Sequence, residues 1–518
     1  MFICGSRVCL FYTGLSRVIY DLAVIGGGIN GCGIARDAAG RGLSVVLLEQ
    51  DDLASATSSW STKLIHGGLR YLEQYEFRLV RESLQEREVL LKLAPHLIQP
   101  QAFVVPHDGH MRPAWMMRAG LLLYDRLGGR SSLPASRGVS FPDASLSAGL
   151  RSKFRRGFVY SDTRVDDSRL TVLNAVSAKE HGATILTRTR LTGARRGRDA
   201  WRLDVQPSDG PATTLHARAV VNAAGPWVKQ VIEEVFAIET TASVKLVKGS
   251  HIIVNRVHDQ PHAYLLQNPD GRVVFIIPYE GRYSLIGTTD VPVDDVHQRP
   301  EISDEETRYL LDAANQALAK PLSERDIVST YAGVRPLYDD GEDSPSAITR
   351  DYVLTLDATN SRLPLLNVFG GKLTTYRRLA EHAMEKLSPF LPDSRGAWTA
   401  GEALPGGALD GYDSVEQYAY SLIPAHSGVP PDFIQRLVMR QGNRAAQVLV
   451  GVRNVADMGE IFGMGLNLLC EREIEFLIKD EWARSAEDIL WRRTKCGLHM
   501  DDDERARATA FINSKVQQ

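Results

Sequence analysis

A glycine-rich turn after a short apolar run constrains the fold of this chain more than any other feature. Residues 21–25 predict a buried strand, and Gly26, Gly28 and Gly31 follow at the spacing Gly-x-Gly-x-x-Gly. In a strand-turn-helix unit that binds a dinucleotide, the first glycine permits the tight turn. The second lets the backbone approach the pyrophosphate, and the third lets the helix pack on the strand. The turn therefore predicts an α/β domain with a Rossmann-like dinucleotide site.

An acidic residue lies where such a site needs one. A second apolar run, residues 44–48, predicts the next strand and is closed by Glu49, 18 residues beyond Gly31. Its carboxylate would accept hydrogen bonds from the hydroxyls of the adenosine ribose, and the helix N-terminus would present N–H groups to the phosphates. A purely structural glycine turn is the less favoured interpretation.

The turn alone does not separate NAD from FAD, but two further observations favour FAD. The sequence contains no second glycine fingerprint that would seat a separate nicotinamide nucleotide. Small polar and glycine-rich segments recur far along the chain, as a long cofactor buried across one domain would require. These segments are residues 56–59, 61–63, 66–68, 222–227 and 369–375.

The length of 518 residues predicts two or three domains. Short apolar runs alternating with turn residues predict a β-rich stretch over about 244–289. Glycine and proline cluster at 404–407, and the chain is mostly helical in pattern beyond that point. We therefore expect a domain boundary at about 400–405 and an all-α C-terminal domain over 401–518.

Charge and cysteine content argue against several classes of protein. The net charge of −3 gives no general reason to expect nucleic acid as a partner. Five cysteines without a Cys-x-x-Cys pair argue against a disulfide framework or a zinc site, and we expect no metal ion. No uncharged apolar run approaches the ~18 residues of a membrane-spanning helix. Residues 1–19 are interpreted as an extension of unclear role or an upstream start codon, with a targeting peptide as the less favoured alternative.

A long ordered set of motifs resembles the aerobic, FAD-dependent glycerol-3-phosphate dehydrogenase family. The motifs are VIGGGING (24–31), TSS (57–59), KLIHGGLRYLE (63–73), NAAGPWV (222–228), KGSH (248–251), GTTD (287–290), GVRP (333–336), ITRD (348–351), FGGKLTTY (369–376) and WRRTK (491–495). They run in order from about residue 20 to residue 495, and the extension before them lies outside the family pattern. No calcium-binding loop of the Asp-x-Asp-x-Asp-Gly type follows residue 400, so the resemblance is to the bacterial rather than the mitochondrial form.

The resemblance implies a fold and a cofactor. It implies a Rossmann-like FAD-binding domain of the glutathione-reductase and amino-acid-oxidase kind, a β-rich substrate domain and the all-α C-terminal domain. Within residues 20–400, the FAD-binding parts would be about 20–90, 160–245 and 330–390, and the substrate or cap parts about 91–159 and 246–329. FAD would contact Gly26, Gly28, Asn30, Gly31, Glu49, Thr57, Ser58, Ser59, Ser61, Gly67, Gly68, Ala224, Gly225, Trp227, Gly370, Gly371, Lys372, Leu373 and Thr374.

The resemblance also implies a reaction and a location. The enzyme would oxidise sn-glycerol 3-phosphate to dihydroxyacetone phosphate, with hydride passing from C2 to flavin N5 and the electrons then passing to ubiquinone. It would act as a peripheral protein on the cytoplasmic face of the inner (plasma) membrane. The C-terminal domain would be either a homodimer surface or an element on the quinone side, and the sequence does not choose between them.

Arginines are the expected ligands of the substrate phosphate, because one guanidinium can bind two phosphate oxygens at once. As members of matched motifs, Arg70 and Arg335 are the favoured phosphate ligands, and Arg350 ranks next. Tyr71 would donate its hydroxyl to the same group.

His251 is the natural choice of general base, because the ordinary pKa of histidine lies near the working pH whereas arginine stays protonated. A buried histidine bonded to backbone is the equally favoured alternative. Lys372 would lie near the flavin, where a positive charge stabilises the reduced anion or polarises the substrate oxygen. Thr289 and Asp290 are expected to line the same cavity.

Residues 111–134 have the composition of a membrane-surface element. They combine tryptophan, methionine and leucine with four arginines, which are Arg112, Arg118, Arg126 and Arg130. An ordinary amphipathic stretch packed on the domain is the equally favoured interpretation.

Three other functions stay open at this point. The nearest is an oxidase that acts on the same substrate and reduces oxygen to hydrogen peroxide. Another is a flavin oxidase acting on an amine or amino acid, which would need a carboxylate clamp. The third is a flavin-binding or membrane scaffold protein without catalytic activity.

Overall fold

A computed structural model describes residues 18–109, 111–141, 145–295, 299–339, 351–358, 363–463 and 467–517. Within them the strands are β1 (Ile19–Ile25), β2 (Val45–Leu48), β3 (Leu64–Ile65), β4 (Ile98–His107), β5 (Arg137–Ser140), β6 (Arg156–Val165), β7 (Thr184–Leu186), β8 (Thr189–Arg196), β9 (Trp201–Pro207), β10 (Thr213–Asn222), β11 (Val244–Asn255), β12 (Ala263–Gln267), β13 (Val273–Tyr279), β14 (Tyr283–Gly287), β15 (Val291–Val293), β16 (Ile327–Tyr338), β17 (Val353–Asp357), β18 (Leu365–Phe369), β19 (Ile461–Phe462) and β20 (Leu469–Cys470). The α-helices are α1 (Ile29–Gly40), α2 (Phe77–Leu93), α3 (Ala114–Leu127), α4 (Asp167–Glu180), α5 (Val228–Gln230), α6 (Asp304–Ala317), α7 (Tyr376–Leu387), α8 (Val415–Leu422), α9 (Pro431–Gln441), α10 (Ala445–Val448), α11 (Glu471–Asp480) and α12 (Asp502–Val516).

The first sheet is built around five parallel strands in the order β18-β10-β1-β2-β7. Strand β17 adds an antiparallel edge at β18, and β9 pairs antiparallel with both β10 and β8. Helices α1, α4 and α7 pack together with this sheet in one apolar core. Because β1, α1 and β2 follow one another as expected, the predicted strand-turn-helix-strand unit and the α/β class are confirmed.

The second sheet is mostly antiparallel and runs in the order β15-β11-β14-β13-β12-β4-β6-β3, with β16 paired to β11 and β5 paired to β6. Helix α3 and part of α2 pack in one apolar cluster with this sheet, and α6 packs in a second cluster with it. The 12-residue strand β11 lies between β14 and β16, and its His251 is opposite Gly287 on one side and Tyr331 on the other. The predicted β-rich stretch is confirmed, and this placement determines where its polar side chains meet.

The C-terminal residues form a separate apolar core around α8, α9, α11 and α12. The expectation of helices alone is confirmed except for the short antiparallel pair of β19 and β20. In the part of the chain that the structure describes, no helix is both long and apolar enough to span a bilayer. The exact division of residues 20–400 into cofactor and substrate parts stays a prediction.

Candidate functional site

The turn between β1 and α1 has a backbone that needs glycine at two positions. Gly26 adopts a φ of +108°, and a Cβ there would lie 2.5 Å from the carbonyl oxygen of Ala223. A Cβ at Gly31 would lie 1.9 Å from the carbonyl oxygen of Gly26, so helix and turn are in direct contact. At Gly28, which caps α1, a Cβ would meet only Ser58 Oγ, at 3.1 Å. The backbone at the start of α1 is thus close to open space, as an approaching pyrophosphate requires.

Glu49 closes β2 beside this turn. Its Oε2 accepts a hydrogen bond from the Gly27 N–H at 2.6 Å, and its Oε1 accepts one from the Asp51 N–H at 2.8 Å. Burial raises the pKa of Glu49 to about 7, although the two backbone donors act to lower it. Donors from a bound ribose would therefore determine whether this carboxyl is charged near neutral pH.

Two adjoining cavities extend from the turn across both sheets. One, of about 820 Å³, is lined by Gly26, Glu49 and Trp227, at the carboxyl ends of β1, β2 and β10. The other, of about 890 Å³, reaches the second sheet. Thr57, Ser58 and Gly225 line both cavities, so the two form one elongated space of the kind a long dinucleotide would occupy.

Most of the residues predicted to contact the cofactor line this space. They are Gly26, Gly28, Asn30, Glu49, Thr57, Ser58, Ser61, Gly68, Ala224, Gly225, Trp227, Gly370, Gly371, Lys372, Leu373 and Thr374. The other three, Gly31, Ser59 and Gly67, are not among the lining residues. Ser59 Oγ donates to the Ala56 carbonyl and the Gly67 N–H donates to the Tyr124 hydroxyl, so these groups support the local backbone.

The glycines at the distal end of the space form a cradle that fits a flavin. Gly370 and Gly371 have φ values of +70° and +98°, which residues other than glycine rarely adopt. A Cβ on Gly371 would lie 2.8 Å from Asn30 Nδ2, and Asn30 Nδ2 itself donates to the Gly370 carbonyl at 3.2 Å. The buried Asn30 Oδ1 accepts no hydrogen bond from any described residue. This acceptor beside an open backbone suits the polar edge of a cofactor.

The predicted substrate residues meet at the second-sheet end of the space. Arg70, Tyr71, His251, Arg335 and Lys372 all line the 890 Å³ cavity. The Lys372 ammonium lies 3.9 Å from the centre of the Tyr71 ring. Residues far apart in the chain are thereby brought to one wall. Arg350 lies outside the described residues.

Arg335 is held in place by the loop that follows β14. Its Nη1 donates to Asp290 Oδ1 at 2.6 Å, and its Nη2 donates to the Thr289 carbonyl at 2.9 Å. Asp290 lines the cavity, as expected. The Arg335 guanidinium therefore lines the cavity together with the Asp290 carboxylate, which can accept hydrogen bonds from hydroxyl groups.

The side chain of Thr289 does not line the cavity, contrary to expectation. It is buried, donates to Glu306 Oε1 at 2.7 Å and accepts from the Ser250 N–H at 2.9 Å. Because successive residues of an extended segment point to opposite sides, Thr288 and Asp290 line the cavity while Thr289 points into α6.

His251 is clamped between its two neighbouring strands. Its ring stacks on Tyr331 with centroids 4.6 Å apart, and a Cβ on Gly287 would lie 2.1 Å from the ring. Burial, together with the positive charges of Arg335 and Lys63, holds the pKa of His251 well below its ordinary value. The imidazole is therefore neutral near pH 7, as a group that accepts a proton must be.

Two further polar side chains, which were not predicted from the sequence, line the same cavity. Thr62 Oγ1 lies 3.0 Å from His251 Nε2, and His66 lines the cavity near Thr374. Both belong to polar segments interpreted only as sources of backbone contacts to the cofactor. The sequence signal for His66 was a titratable side chain beside two glycines. No local signal joins Thr62 to a residue 189 positions away.

Apolar side chains line the same cavity as well. Phe77, Met111, Met116 and Leu123 line the 890 Å³ cavity, and the last two belong to the exposed face of α3. Trp115, on the same helix, is 70% exposed. The cavity therefore extends to an apolar surface patch on α3.

Comparisons with known proteins agree with this arrangement. The family described as FAD dependent oxidoreductase matches residues 21–377, and the family described as C-terminal domain of alpha-glycerophosphate oxidase matches residues 398–513. The chain is 52% identical over 497 residues to a glycerol-3-phosphate dehydrogenase of Pseudomonas aeruginosa, covering 96% of each protein. It is 50% identical over 493 residues to a D-erythritol 1-phosphate dehydrogenase of Brucella abortus, covering 95% of this chain and 97% of the relative.

A solved structure extends the similarity to the fold. The glycerol-3-phosphate dehydrogenase of Bacillus halodurans, determined in complex with FAD, matches with a TM-score of 0.74 and 25% identity. The match covers 96% of this chain and 95% of that one. Similarity over the whole length means that the two sheets and the C-terminal helices belong to one shared fold.

Proposed function

The chain belongs to the family of FAD-dependent oxidoreductases and, within it, to the glycerol-3-phosphate dehydrogenases. From this membership we propose that it oxidises sn-glycerol 3-phosphate to dihydroxyacetone phosphate and passes the electrons to ubiquinone at a membrane surface. The observation that carries the proposal is the single cavity in which Arg70, Arg335, His251 and Lys372 meet, next to the glycine cradle for FAD.

The phosphate is assigned to the arginines. Arg70, in a short 3-10 helix after β3, and Arg335, in β16, both line the cavity, and each guanidinium can bind two phosphate oxygens. Tyr71 lies against Lys372 and would donate its hydroxyl to the same phosphate. We assign Arg350 to the same role on the basis of its motif alone.

The oxidation needs one acceptor for hydride and another for a proton. FAD supplies the acceptor for the hydride that leaves C2. The neutral imidazole of His251 takes the proton of the C2 hydroxyl, so that carbon and oxygen together lose two electrons and two protons. The Lys372 ammonium stabilises negative charge that develops on the substrate oxygen or at the cofactor.

The electron acceptor is assigned to the apolar side of the cavity. A quinone is lipid-soluble, and the exposed Trp115, Met116 and Leu123 form an apolar patch on α3. Arg112, Arg126 and Arg130 are exposed beside this patch and would attract anionic lipid headgroups. We therefore place the protein on the cytoplasmic face of the membrane, with α3 against the lipid.

Anaerobic reduction of the flavin tests the proposed reaction directly. FAD-loaded protein mixed with sn-glycerol 3-phosphate should lose the visible absorption of oxidised flavin within seconds to minutes and release dihydroxyacetone phosphate. An unchanged flavin spectrum at saturating substrate would contradict the proposed reaction. A flavin-binding scaffold would then be the better interpretation.

A second substrate is supported by one comparison. The relative of Brucella abortus is named for D-erythritol 1-phosphate and is as similar to this chain as several glycerol-3-phosphate dehydrogenases are. Both compounds carry a phosphate group and a free secondary hydroxyl group, so the arginines and His251 would serve either. The values of kcat/KM for the two compounds, measured with one quinone analogue, decide between them.

An oxidase remains the alternative for the second half of the reaction. The C-terminal match carries the name of an alpha-glycerophosphate oxidase domain. Oxygen uptake by purified protein, measured with and without a soluble quinone, separates the two acceptors. Rapid hydrogen peroxide formation that quinone does not suppress would favour the oxidase.

A further inference from the structure

A hydroxyl group accompanies the imidazole to which we assign the proton. Thr62 Oγ1 lies 3.0 Å from His251 Nε2, and both residues line the 890 Å³ cavity. The other ring nitrogen, Nδ1, is buried and makes no hydrogen bond to any described residue. Within the described part of the chain, Thr62 is thus the hydrogen-bond partner that fixes the edge of this ring.

We propose that Thr62 is a positioning residue for His251, holding the imidazole so that Nε2, rather than the buried Nδ1, takes up the hydroxyl proton of the substrate. This inference rests on the proposed oxidation of a phosphorylated alcohol. It assigns a function to a residue of segment 61–63, which the sequence pattern suggested only as a source of contacts to the cofactor.

Packing alone does not determine which edge of the ring faces the cavity. Tyr331 and Gly287 cover the two faces of the imidazole and so fix its plane. A rotation of 180° about the bond to the ring keeps that plane but exchanges nitrogen and carbon positions. Only a hydrogen bond distinguishes the two orientations and the two tautomers, and Thr62 provides that bond.

The backbone that carries Thr62 is held firmly on both sides. Ser61 donates to Asp167 from its N–H and its hydroxyl, and the Lys63 ammonium donates to both oxygens of Asp167. Tyr331, which stacks on His251, donates its hydroxyl to the Ser61 carbonyl at 2.7 Å.

Lys63 itself has a φ of +60°, a conformation that a lysine adopts only where the surroundings enforce it. The strained kink directs the Thr62 side chain toward His251 while the neighbouring side chains turn toward Asp167. Such over-determined geometry is what a positioning role requires.

The charges around the His251 ring explain why a hydrogen bond to Thr62 would matter. Lys63 and Arg335 are the cations that disfavour a charged imidazole, and Tyr331 contributes only a ring face. When His251 takes up a proton, both ring nitrogens become donors. Thr62 Oγ1 can accept from Nε2–H and so stabilise the imidazolium that the positive surroundings oppose.

Three variants separate positioning from packing. Thr62→Val keeps the shape but removes the hydroxyl, and Thr62→Ser restores it. Thr163→Val is the matched control, because Thr163 Oγ1 donates to the Ile65 carbonyl in the same region but does not line the cavity. The measurements are the limiting rate of anaerobic flavin reduction, its substrate-concentration dependence, its pH profile and its solvent deuterium isotope effect.

We expect Thr62→Val to lower the limiting rate by about 10- to 100-fold while the half-saturating substrate concentration changes by less than about twofold. Proton transfer becomes slower, so the solvent isotope effect should rise and the acidic limb of the pH profile should move. Thr62→Ser should stay within about threefold of the parent rate, and Thr163→Val should resemble the parent in all four measurements.

Other results overturn the inference. A Thr62→Val rate equal to that of the parent, or an equal loss in Thr62→Val and Thr163→Val, would assign Thr62 a packing role only. If Thr62→Val does not retain FAD, Thr62→Ala provides the same comparison with Thr62→Ser. Failure of the parent protein to reduce its flavin with either phosphorylated alcohol would refute the proposed function itself, which is a distinguishable outcome.

Discussion

The guanidinium of Arg335 is oriented by the protein through two different partners. Asp290 and the Thr289 carbonyl bind its two terminal nitrogens, leaving the outward edge toward the cavity. We predict that Arg335→Lys raises the half-saturating concentration of the phosphorylated substrate by about 10- to 100-fold, because a point charge cannot keep the protein contacts and bind two phosphate oxygens as well. Titration of the FAD-loaded protein under anaerobic conditions measures this.

Arg272→Lys is the matched control for Arg335→Lys. Arg272 also pairs with an aspartate, Asp270, at 2.7 Å, but it does not line the cavity. Arg272→Lys should leave the half-saturating concentration of the phosphorylated substrate unchanged. An equal effect of both substitutions, or none at Arg335, would contradict the assignment of the phosphate to Arg335.

We predict that the binding of FAD depends on pH through Glu49. Burial raises its pKa to about 7 in the protein without ligand, and ribose hydroxyls favour the ionised carboxylate because they donate to it. The charged fraction falls as the pH drops through 7, so we expect apoprotein to bind FAD about tenfold more weakly at pH 6 than at pH 8. Fluorescence titration of FAD into apoprotein measures the affinity.

The variant Glu49→Gln provides the control for that pH dependence. It keeps an acceptor oxygen but does not ionise, so its affinity for FAD should be lower at pH 8 and nearly flat between pH 6 and pH 8. A steep pH dependence that persists in Glu49→Gln would assign the titration to another group.

At the scale of single elements, the sequence predicted what is encoded within a short stretch. The strand, the glycine turn and helix α1 were predictable because Gly26 and Gly31 meet steric demands imposed by their near neighbours in the chain. The late strand β18 and the glycines after it were predictable for the same reason, since an apolar run and a tight turn are local patterns.

Contacts between distant elements were not predictable in this way. Thr289 was expected in the cavity, but Glu306 at the start of α6 accepts its hydroxyl and turns the side chain away. The pairing of Thr62 with His251 joins the loop before β3 to the middle of β11. Such contacts depend on how sheets and helices pack, and a single sequence carries no direct signal for them.

Helix α3 is the element to which we assign membrane contact. Its exposed face combines Trp115, Met116 and Leu123, and Arg118 is held at its side by Ser136. We predict that replacing Arg112, Arg118 and Arg126 together with glutamate lowers partition onto anionic vesicles by at least about 100-fold, since each cation near such a surface contributes about 1 kcal/mol. Co-sedimentation with vesicles of mixed anionic and neutral lipid measures the partition.

The control for α3 reverses the charge of three arginines at another part of the surface. Arg190, Arg195 and Arg198 are exposed at the β8–β9 hairpin, and their replacement by glutamate gives the same change in net charge. If both triple variants lose partition equally, net charge rather than α3 governs binding. If neither does, α3 is not the membrane-contacting element.

At the scale of the whole molecule, buried ion pairs join the C-terminal helices to the cofactor domain. Arg492 and Arg493 both donate to Asp52, which lies in the loop after Glu49 and lines the 820 Å³ cavity. Arg169 of α4 pairs with Glu481 of the C-terminal domain. Although burial alone would raise it, the positive charges of Arg169 and other arginines lower the pKa of Glu481 to about 2. Residues of the C-terminal part therefore contribute directly to the wall of the 820 Å³ cavity.

Arg493 is the residue through which this coupling can be tested. It is fully buried and binds both oxygens of Asp52 as well as the Glu481 carbonyl. We predict that Arg493→Met destabilises the protein by about 3 kcal/mol or more, because removing one partner leaves a buried charge without full compensation. The loop of Asp52 should also loosen, so that FAD binds at least about tenfold more weakly. Thermal unfolding with and without FAD measures both effects.

Two further variants distinguish coupling from a general loss of packing. Adding Asp52→Asn to Arg493→Met removes a buried carboxylate that would otherwise have Arg492 as its one remaining arginine partner, so the double variant should recover part of the lost stability. Arg484→Met removes an exposed ion pair with Asp209 and should change neither stability nor FAD affinity. If Arg493→Met lowers stability but FAD stabilises it as strongly as the parent protein, the C-terminal domain supports the fold without shaping the cofactor site. Weaker stabilisation by FAD in Arg493→Met, with recovery in the double variant, requires that the two domains form the site together.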